Sequence, residues 1–499
     1  MLIHCKLIRP SLSLKIRPNH PIFLINKTAG FSTYTVHRNT SSSILTSKLN
    51  NLDLLKQKAY VNSEWVDSTT SRTFTVNDPA TGEEIGTCPD MNVEDLHQAI
   101  LAAKQSFSKY KSTTAQDRRE TLKKFNDLIL KNASDLASII VAENGKSFND
   151  AMGEVKYAAS FVDWFADQSL RTDGTIIPSS NPSIRHLVVH QPIGLVAAIC
   201  PWNFPAAMIT RKIAPAIAAG CTVIVKAPAE TPLTALALAE LSHQAGFPAG
   251  VVNIITSKSD TIEIENLLGT GVGKLLMNQS SSTLKKLSLE LGGNAPYIVF
   301  EDADIDSAVD GAIACKFRCA EFATKLTQKV SELKVGSGFE PDTNIGPLID
   351  EKSLKKVMRH VELAQKSGAE ILIGGKKVDG MGFFFQPTVL SDVPSGVIDG
   401  EETFGPVAAL YKFETEQEVI NLANNSDVGL AGYFYSKDIG RIWRVAEALE
   451  VGMVGANTGV VSNSVTPFGG IKHSGFGREG SKIGIDEYQF VKYIAMGGL

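Results

Sequence analysis

The sequence predicts an α/β chain built around a doubly wound parallel sheet. Three observations point there. From Gly194 to Ile255, apolar strands and helices alternate with short links. The composition is that of an ordinary globular chain, 43% hydrophobic and 20% charged,. At 499 residues the chain is long enough for one to three domains with real cores,. A net charge of -4 and a pI near 6.2 argue against a nucleic-acid partner, which needs a clustered basic surface,. No run of 18 apolar residues exists, so no membrane-spanning helix is expected,. The cysteines, at 5, 88, 200, 221, 315 and 319, are scattered without a C-x-x-C pair. That pattern indicates neither a disulfide framework nor a metal site.

The first 52 residues contain no Asp or Glu, carry seven Lys or Arg, and are rich in Ser and Thr from Ser32 to Ser47. A basic, hydroxylated, acid-free start reads as a mitochondrial transit peptide, disordered over residues 1–48, and places the protein in the mitochondrial matrix,. Ala59–Trp65 and Arg72–Asn77 read as strands, and Val93–Tyr110, Ala115–Asn144 and Phe148–Gln168 as amphipathic helices,. Thr172–His190 is polar, then β-branched, an extended hairpin-like excursion. The α/β alternation follows, as strand 194–200, helix 206–219 stopped by Gly220, strand 221–225 ending at Lys226, helix 231–244 and strand 251–255. Ligands of such sheets sit at the carboxyl ends of the strands, here at Trp202, Asn203 and Lys226,.

Two stretches break the pattern. No apolar strand lies between the helical texts of Ser259–Leu268 and Gly271–Ser282. Asp304–Leu333 reads as nearly unbroken helix, either one unusually long helix or two joined where a loop is lost,. Downstream, helices and strands alternate again to Asn457, Pro467–Gly480 reads as a surface loop, and Tyr488–Met496 is a final strand added to another sheet.

Glu290 stands in Leu289-Glu-Leu-Gly-Gly-Asn-Ala-Pro296, a carboxylate on a short apolar strand running into paired glycines. Apolar surroundings raise a carboxyl pKa, which suits a general base. Asn203, in the rigid turn Pro201-Trp-Asn-Phe-Pro205, has an amide suited to an oxyanion,. Lys226 at a strand end suits a ribose or phosphate oxygen,. Gly269-Thr-Gly-Val-Gly-Lys274 is neither a P-loop, since Leu268 and Leu275 fill its outer positions, nor G-x-G-x-x-G, since Lys274 replaces the third glycine,. It remains a helix start whose N–H groups are able to face a phosphate.

Taken together, Pro201-Trp-Asn-Phe-Pro205, Leu289-Glu-Leu-Gly-Gly293, Glu401-Glu-Thr-Phe-Gly-Pro406 and Pro467-Phe-Gly-Gly470 resemble the aldehyde dehydrogenase superfamily, from about residue 59 to the end. The text of Ala206–Lys212, Leu289–Phe300, Lys316-Phe-Arg318 and Phe476–Lys482 is most similar to members that oxidise succinate semialdehyde in 4-aminobutyrate breakdown. The resemblance implies two doubly wound α/β domains plus a β oligomerisation excursion. These are an NAD(P)-binding domain at 49–300 with the excursion at 172–190, a catalytic domain at 301–480, and an oligomerisation strand at 481–499. It implies a dimer or tetramer acting on a small-molecule aldehyde. Asn203 would hold the oxyanion and Glu290 would activate the hydrolytic water. Trp202, Lys226, Glu402 and Phe404 would line the cofactor, and Arg211, Arg318 and Ser462 would hold the substrate's distal carboxylate. Two guanidiniums select an acid-bearing aldehyde by paired hydrogen bonds, though they would not separate succinate from glutarate semialdehyde. Ala229 stands where strictly NAD-dependent members carry an acid, with Glu230 beside it, so NADP is expected, along with NAD,.

The chain also departs from the family. The nucleophile lies in Gly-Gln-Thr-Cys, shortly after the text matching Lys316-Phe-Arg318. Here Cys319-Ala-Glu-Phe-Ala-Thr-Lys325 follows, and Glu321 onwards matches the family's next helix, past the nucleophile loop and a strand. Cys319 aligns ahead of the nucleophile position. The chain is therefore expected to be inactive as it stands. The alternative role is a non-catalytic splice form or pseudoenzyme binding partners through Thr172–His190 and Tyr488–Met496.

Overall fold

The computed structural model describes residues 2–5, 41–258, 270–315 and 320–498. Strand β1 (Leu2–Cys5) and helix α1 (Ser41–Lys48) both fall within the segment expected to be a disordered leader, and that expectation is corrected at these two places. α1 seats Leu45, 1% exposed, in the core of the amino-terminal half.

In that half, β2 (Ala59–Val61) and β3 (Glu64–Val66) pair as a hairpin, as do β4 (Thr73–Asn77) and β5 (Glu84–Pro89). Helices α2 (Val93–Tyr110) and α3 (Ala115–Lys131) open on capping boxes, Asn92 with Asp95 and Thr114 with Asp117, which satisfy the free N–H groups of the first turn,. The single helix expected over Ala115–Asn144 is two, α3 and α4 (Ala133–Asn144), separated at Asn132. Helix α5 (Phe148–Gln168) leads to the excursion, strands β6 (Thr175–Ile177) and β7 (Arg185–Pro192).

The expected alternation follows as β8 (Leu195–Ile199), α6 (Ala207–Ala219), β9 (Thr222–Lys226), α7 (Pro232–Ala245) and β10 (Val252–Ile255). Both helices stop at glycines with positive φ, Gly220 and Gly246, where a side chain would be strained,. The sheet order is β3-β2-β10-β9-β8, with β10, β9 and β8 parallel. β9 and β10 are buried along their whole length, as central parallel strands should be,. β8 is an edge, with Ala198 buried and Ala197 exposed. Residues 259–269, part of the stretch expected to lack a strand, lie outside the described residues, and α8 (Thr270–Ser281) resumes after them.

The carboxyl half begins with β11 (Leu289–Glu290) and β12 (Tyr297–Val299), then α9 (Ile305–Cys315) and α10 (Ala320–Ser331). The long helical text is thus two helices. Lys325 Nζ lies 2.6 Å from Asp306 Oδ1, whereas 19 residues along one helix span about 28 Å, so the chain doubles back,. Helix α11 (Glu351–Lys366) is followed by β13 (Glu370–Ile373), β14 (Thr388–Ser391) and β15 (Val407–Lys412). Next come α12 (Glu416–Asn424), β16 (Val428–Gly429), β17 (Ala431–Tyr435), α13 (Ile439–Ala448) and β18 (Met453–Ala456). The short strands β19 (Ile471–Lys472) and β20 (Gly475–Phe476) precede the last strand, β21 (Gln489–Met496). The second sheet has the order β13-β14-β15-β1-β12-β17-β18, parallel except at β13. β21 pairs with β7 along all eight residues, making a third sheet, β21-β7-β6. No helix among the described residues is long and apolar enough to cross a membrane.

Candidate active site

The turn after β8 is held from behind by α4, α5 and the link between them. Asn144 Nδ2 donates to the Trp202 carbonyl (2.9 Å), and Lys146 Nζ donates to the Asn203 carbonyl (2.9 Å) and to Glu154 (2.6 Å). Glu154 in turn accepts from Ala206 N at 2.8 Å. The backbone on both sides of Asn203 is fixed while its side-chain oxygen, buried, makes no hydrogen bond among the described residues. The Trp202 ring meets Phe404 edge-on, with centroids 5.2 Å apart. This brings the 201–205 turn against the Glu401–Pro406 loop. That loop is anchored by Glu401, which Lys356, Arg359 and His360 contact at 2.9, 2.6 and 3.1 Å. Partial burial works against the Glu401 charge, yet these three partners hold its pKa down at about 2. Buried His360 also bonds Thr403 Oγ1 at 2.6 Å.

Lys226 ends β9 at 6% exposure. Burial lowers its pKa to about 8, with Glu230 opposing the shift. Burial raises the Glu230 carboxyl in turn. Ala229 is buried and presents no acid.

Glu290 lies on β11, paired with Gly475 of β20. Neither carboxylate oxygen has a hydrogen-bond partner among the described residues. Burial pushes its pKa up to about 8, and the charge of Glu479 adds to the shift against Arg211, Lys212 and Arg478. Gly469 makes room for it, since a Cβ there would sit 2.6 Å from Glu290 Oε1,. The neighbouring Glu479 is buried in contact with Arg211 Nε at 2.5 Å and Lys212 Nζ at 2.9 Å. Burial works to neutralise Glu479, but those two cations more than offset it and keep its pKa below the usual value. The result is a carboxyl poised to hold or release a proton near neutral pH, next to a carboxylate that is firmly charged.

The structure brings Trp202 to Phe404, and Glu290 to Arg211, but not every expected residue faces an open site. Arg211, expected to clamp a substrate carboxylate, is 1% exposed. Its guanidinium lies between Phe161 and Phe468 and faces Glu479, so its charge is already answered inside the protein. The hydroxyls of Ser462 and Tyr157 touch, and Tyr157 stacks edge-on with Phe161 at 4.9 Å, which links Ser462 to the Arg211–Glu479 cluster. Arg318 and Cys319 lie outside the described residues. Pro467–Gly480 meets the surface-loop expectation only in part: Pro467, Ile471, Lys472, His473 and Phe476 are exposed, whereas Gly469, Gly470, Ser474, Glu479 and Gly480 are buried. Phe468 and Glu479 bond each other's backbones at 2.8 Å both ways, and the loop closes over α6. Lys212, Glu479, Lys146, Glu154 and Tyr157 were not singled out in the sequence. The adjacent charges in Thr210-Arg-Lys212 and Gly477-Arg-Glu-Gly480 were the available signal.

The free cysteines Cys88, Cys200 and Cys221 are all buried. Burial raises all three thiols, Cys200 and Cys221 to about 11, the opposite of a poised thiolate,.

The profile of the aldehyde dehydrogenase family matches residues 65–494. The chain is 48% identical to succinate-semialdehyde dehydrogenase [NADP(+)] 1 of Schizosaccharomyces pombe, over 92% of this chain and 99% of that protein. It is 47% identical over 479 positions to glutarate-semialdehyde dehydrogenase of Pseudomonas putida (90% and 99%). It is 46% identical to the mitochondrial succinate-semialdehyde dehydrogenase of Rattus norvegicus (90% and 92%). Among solved structures, succinate-semialdehyde dehydrogenase from Burkholderia pseudomallei superposes with a TM-score of 0.87 at 46% identity, covering 90% of this chain and 99% of that one.

Proposed function

We propose that this chain, which belongs to the aldehyde dehydrogenase family, carries the frame for oxidising succinate semialdehyde to succinate with NADP or NAD, and lacks the nucleophile that would attack the aldehyde. The observation that carries the frame is Glu290. Its carboxylate oxygens are buried, without a hydrogen bond among the described residues, and its pKa is raised to about 8, as a base that activates water needs to be,. Asn203 is held beside Trp202 to receive the oxyanion. Lys226, Ala229, Glu402, Trp202 and Phe404 would hold the cofactor, which when bound supplies the hydride acceptor. The buried lysine at a strand end and the absence of an acid at Ala229 fit an NADP ribose phosphate,. The S. pombe relative's stated use of NADP supports the same choice.

An acid-bearing substrate is supported by the relatives, whose names specify succinate and glutarate semialdehydes and 3-sulfolactaldehyde. Ser462 with Tyr157, and Arg318, would take the distal acid, with Arg211 behind them. Glutarate semialdehyde is the second reading, favoured by the P. putida relative. The loss of the nucleophile is supported by the two-helix text around Cys319 and by the alignment lengths. Ninety per cent of 499 residues is about 450, so about 30 of the 479 positions aligned with the P. putida relative have no counterpart here. Cys88, Cys200 and Cys221, buried with raised pKa, are unsuited to the role. A mitochondrial matrix location is supported by the acid-free basic start and by the R. norvegicus relative, and a homo-oligomer by the exposed apolar side chains of β21, Phe490, Val491, Tyr493, Ile494 and Met496,.

Grafting the unmatched segments of the S. pombe relative into this chain tests the frame. The graft is expected to oxidise succinate semialdehyde with a kcat/KM at least tenfold higher with NADP than with NAD. A preference for NAD would contradict the cofactor assignment. A preference for aldehydes without an acid group would contradict the substrate assignment.

A further inference from the structure

The seven-stranded sheet is completed by residues from the far end of the chain. β1 lies in its middle, parallel to both neighbours, with Ile3 opposite Tyr297 of β12 and Leu410 of β15. β12 and β15 do not pair with each other, and with one strand between them they stand about 9–10 Å apart,. Both are buried. Tyr297, Ile298 and Val299 of β12 and Ala408 and Leu410 of β15 join one hydrophobic core, and Ala409 and Tyr411 join another. Without β1, the facing N–H and C=O groups of two core strands would be left without partners, which native structures avoid.

The topology shows why the position is open to an outside strand. In a doubly wound sheet, the helix after β12 leads into a strand beside it. Here α9 leads instead, within four residues, to α10, which folds back along it through the Lys325–Asp306 contact. Among the described residues no strand lies between α9 and α10, and the place beside β12 is taken by Leu2–Cys5. That segment reads Leu-Ile-His-Cys, free of Gly, Pro and acid, as a central strand requires,. The 35 residues between Cys5 and Ser41 span up to about 115 Å when extended, ample to reach from α1,.

We propose that Leu2–Cys5 is a donor strand filling an acceptor slot between β12 and β15, and that processing anywhere after Cys5 reopens that slot. This does not depend on the reaction the site performs. The same residues serve as leader before cleavage and as sheet strand while the chain is intact, and cannot do both once cut.

Hydrogen exchange read by mass spectrometry on the full chain tests this. Amides of Ile3–Cys5 are expected to exchange at least about 100-fold more slowly than an unprotected chain. In the full-length Ile3→Pro and His4→Pro variants, which each remove one ladder donor, protection of Tyr297–Val299 and Val407–Lys412 is expected to fall at least tenfold while β9 and β10 stay unchanged. Complete exchange of Leu2–Cys5 at the first time point, with β12 and β15 protected, would overturn the proposal. So would proline variants with unchanged protection in β12 and β15. Loss of protection in β9 and β10 as well marks a variant that has not folded, and the wild-type pattern then decides alone.

Discussion

Two neighbouring carboxyls in this site are driven in opposite directions. The Glu290 carboxylate oxygens are buried without a hydrogen bond among the described residues and its pKa is raised to about 8, while Glu479, buried, is kept charged by Arg211 and Lys212. The Glu290 shift has a defined consequence for stability. Below about pH 4.5 the group is protonated in both states. Between there and about pH 8 the unfolded chain releases the proton that the folded chain keeps, so stability falls as pH rises through that window,. Glu290→Gln, neutral at every pH, removes the slope. Its melting temperature relative to wild type is expected to rise between pH 5 and 8, by on the order of 2 kcal/mol in unfolding free energy. A difference that does not vary with pH would contradict the assignment. Glu479→Gln has the opposite character. It leaves two cations, one of them 1% exposed, without their counter-ion, and urea unfolding is expected to show a loss of about 3–5 kcal/mol,. The same variant removes a negative neighbour from Glu290 and is expected to lower the pKa of that group.

At the scale of elements, the alternation from β8 to β10 was legible because five short segments change period cleanly between glycine and proline stops,. The Glu290 strand, the Asn203 turn and the Lys226 strand end were legible for the same reason, each being a short motif next to a strand. Pro467–Gly480 was not. Its glycines suggest an exposed loop, whereas they let the backbone pass close to Glu290 and to Leu289, where a Cβ on Gly475 would fall 2.0 Å from the carbonyl oxygen,. The surroundings of Arg211 were not legible for a related reason. Sequence shows a cation but not the Glu479 that faces it from 268 residues away. The α9–α10 text gave two alternatives, and only tertiary contact separates them. A short bifunctional reagent is expected to join the pair in Asp306→Cys/Lys325→Cys within one chain. In one continuous helix those positions lie about 28 Å apart and no link forms,.

On the scale of the whole molecule, two sheets are completed differently. The larger sheet is closed by β1, a segment that reads as a leader in sequence because the stretch around it is basic and acid-free and nothing local marks it as a strand. The smaller sheet ends at β8, a parallel strand with one partner and an exposed Ala197,. In the proposed site Glu290 would be the base, Asn203 the oxyanion amide and Lys226 the cofactor lysine. The central claim is that the attacking thiol alone is missing from an otherwise assembled site, and the direct measurement is turnover by the purified, folded chain. With succinate semialdehyde and either NADP or NAD, no reduced cofactor is expected above the rate of a buffer control. Steady reduction proportional to protein concentration would contradict the claim, and its loss in Cys319→Ala would assign the attack to that thiol.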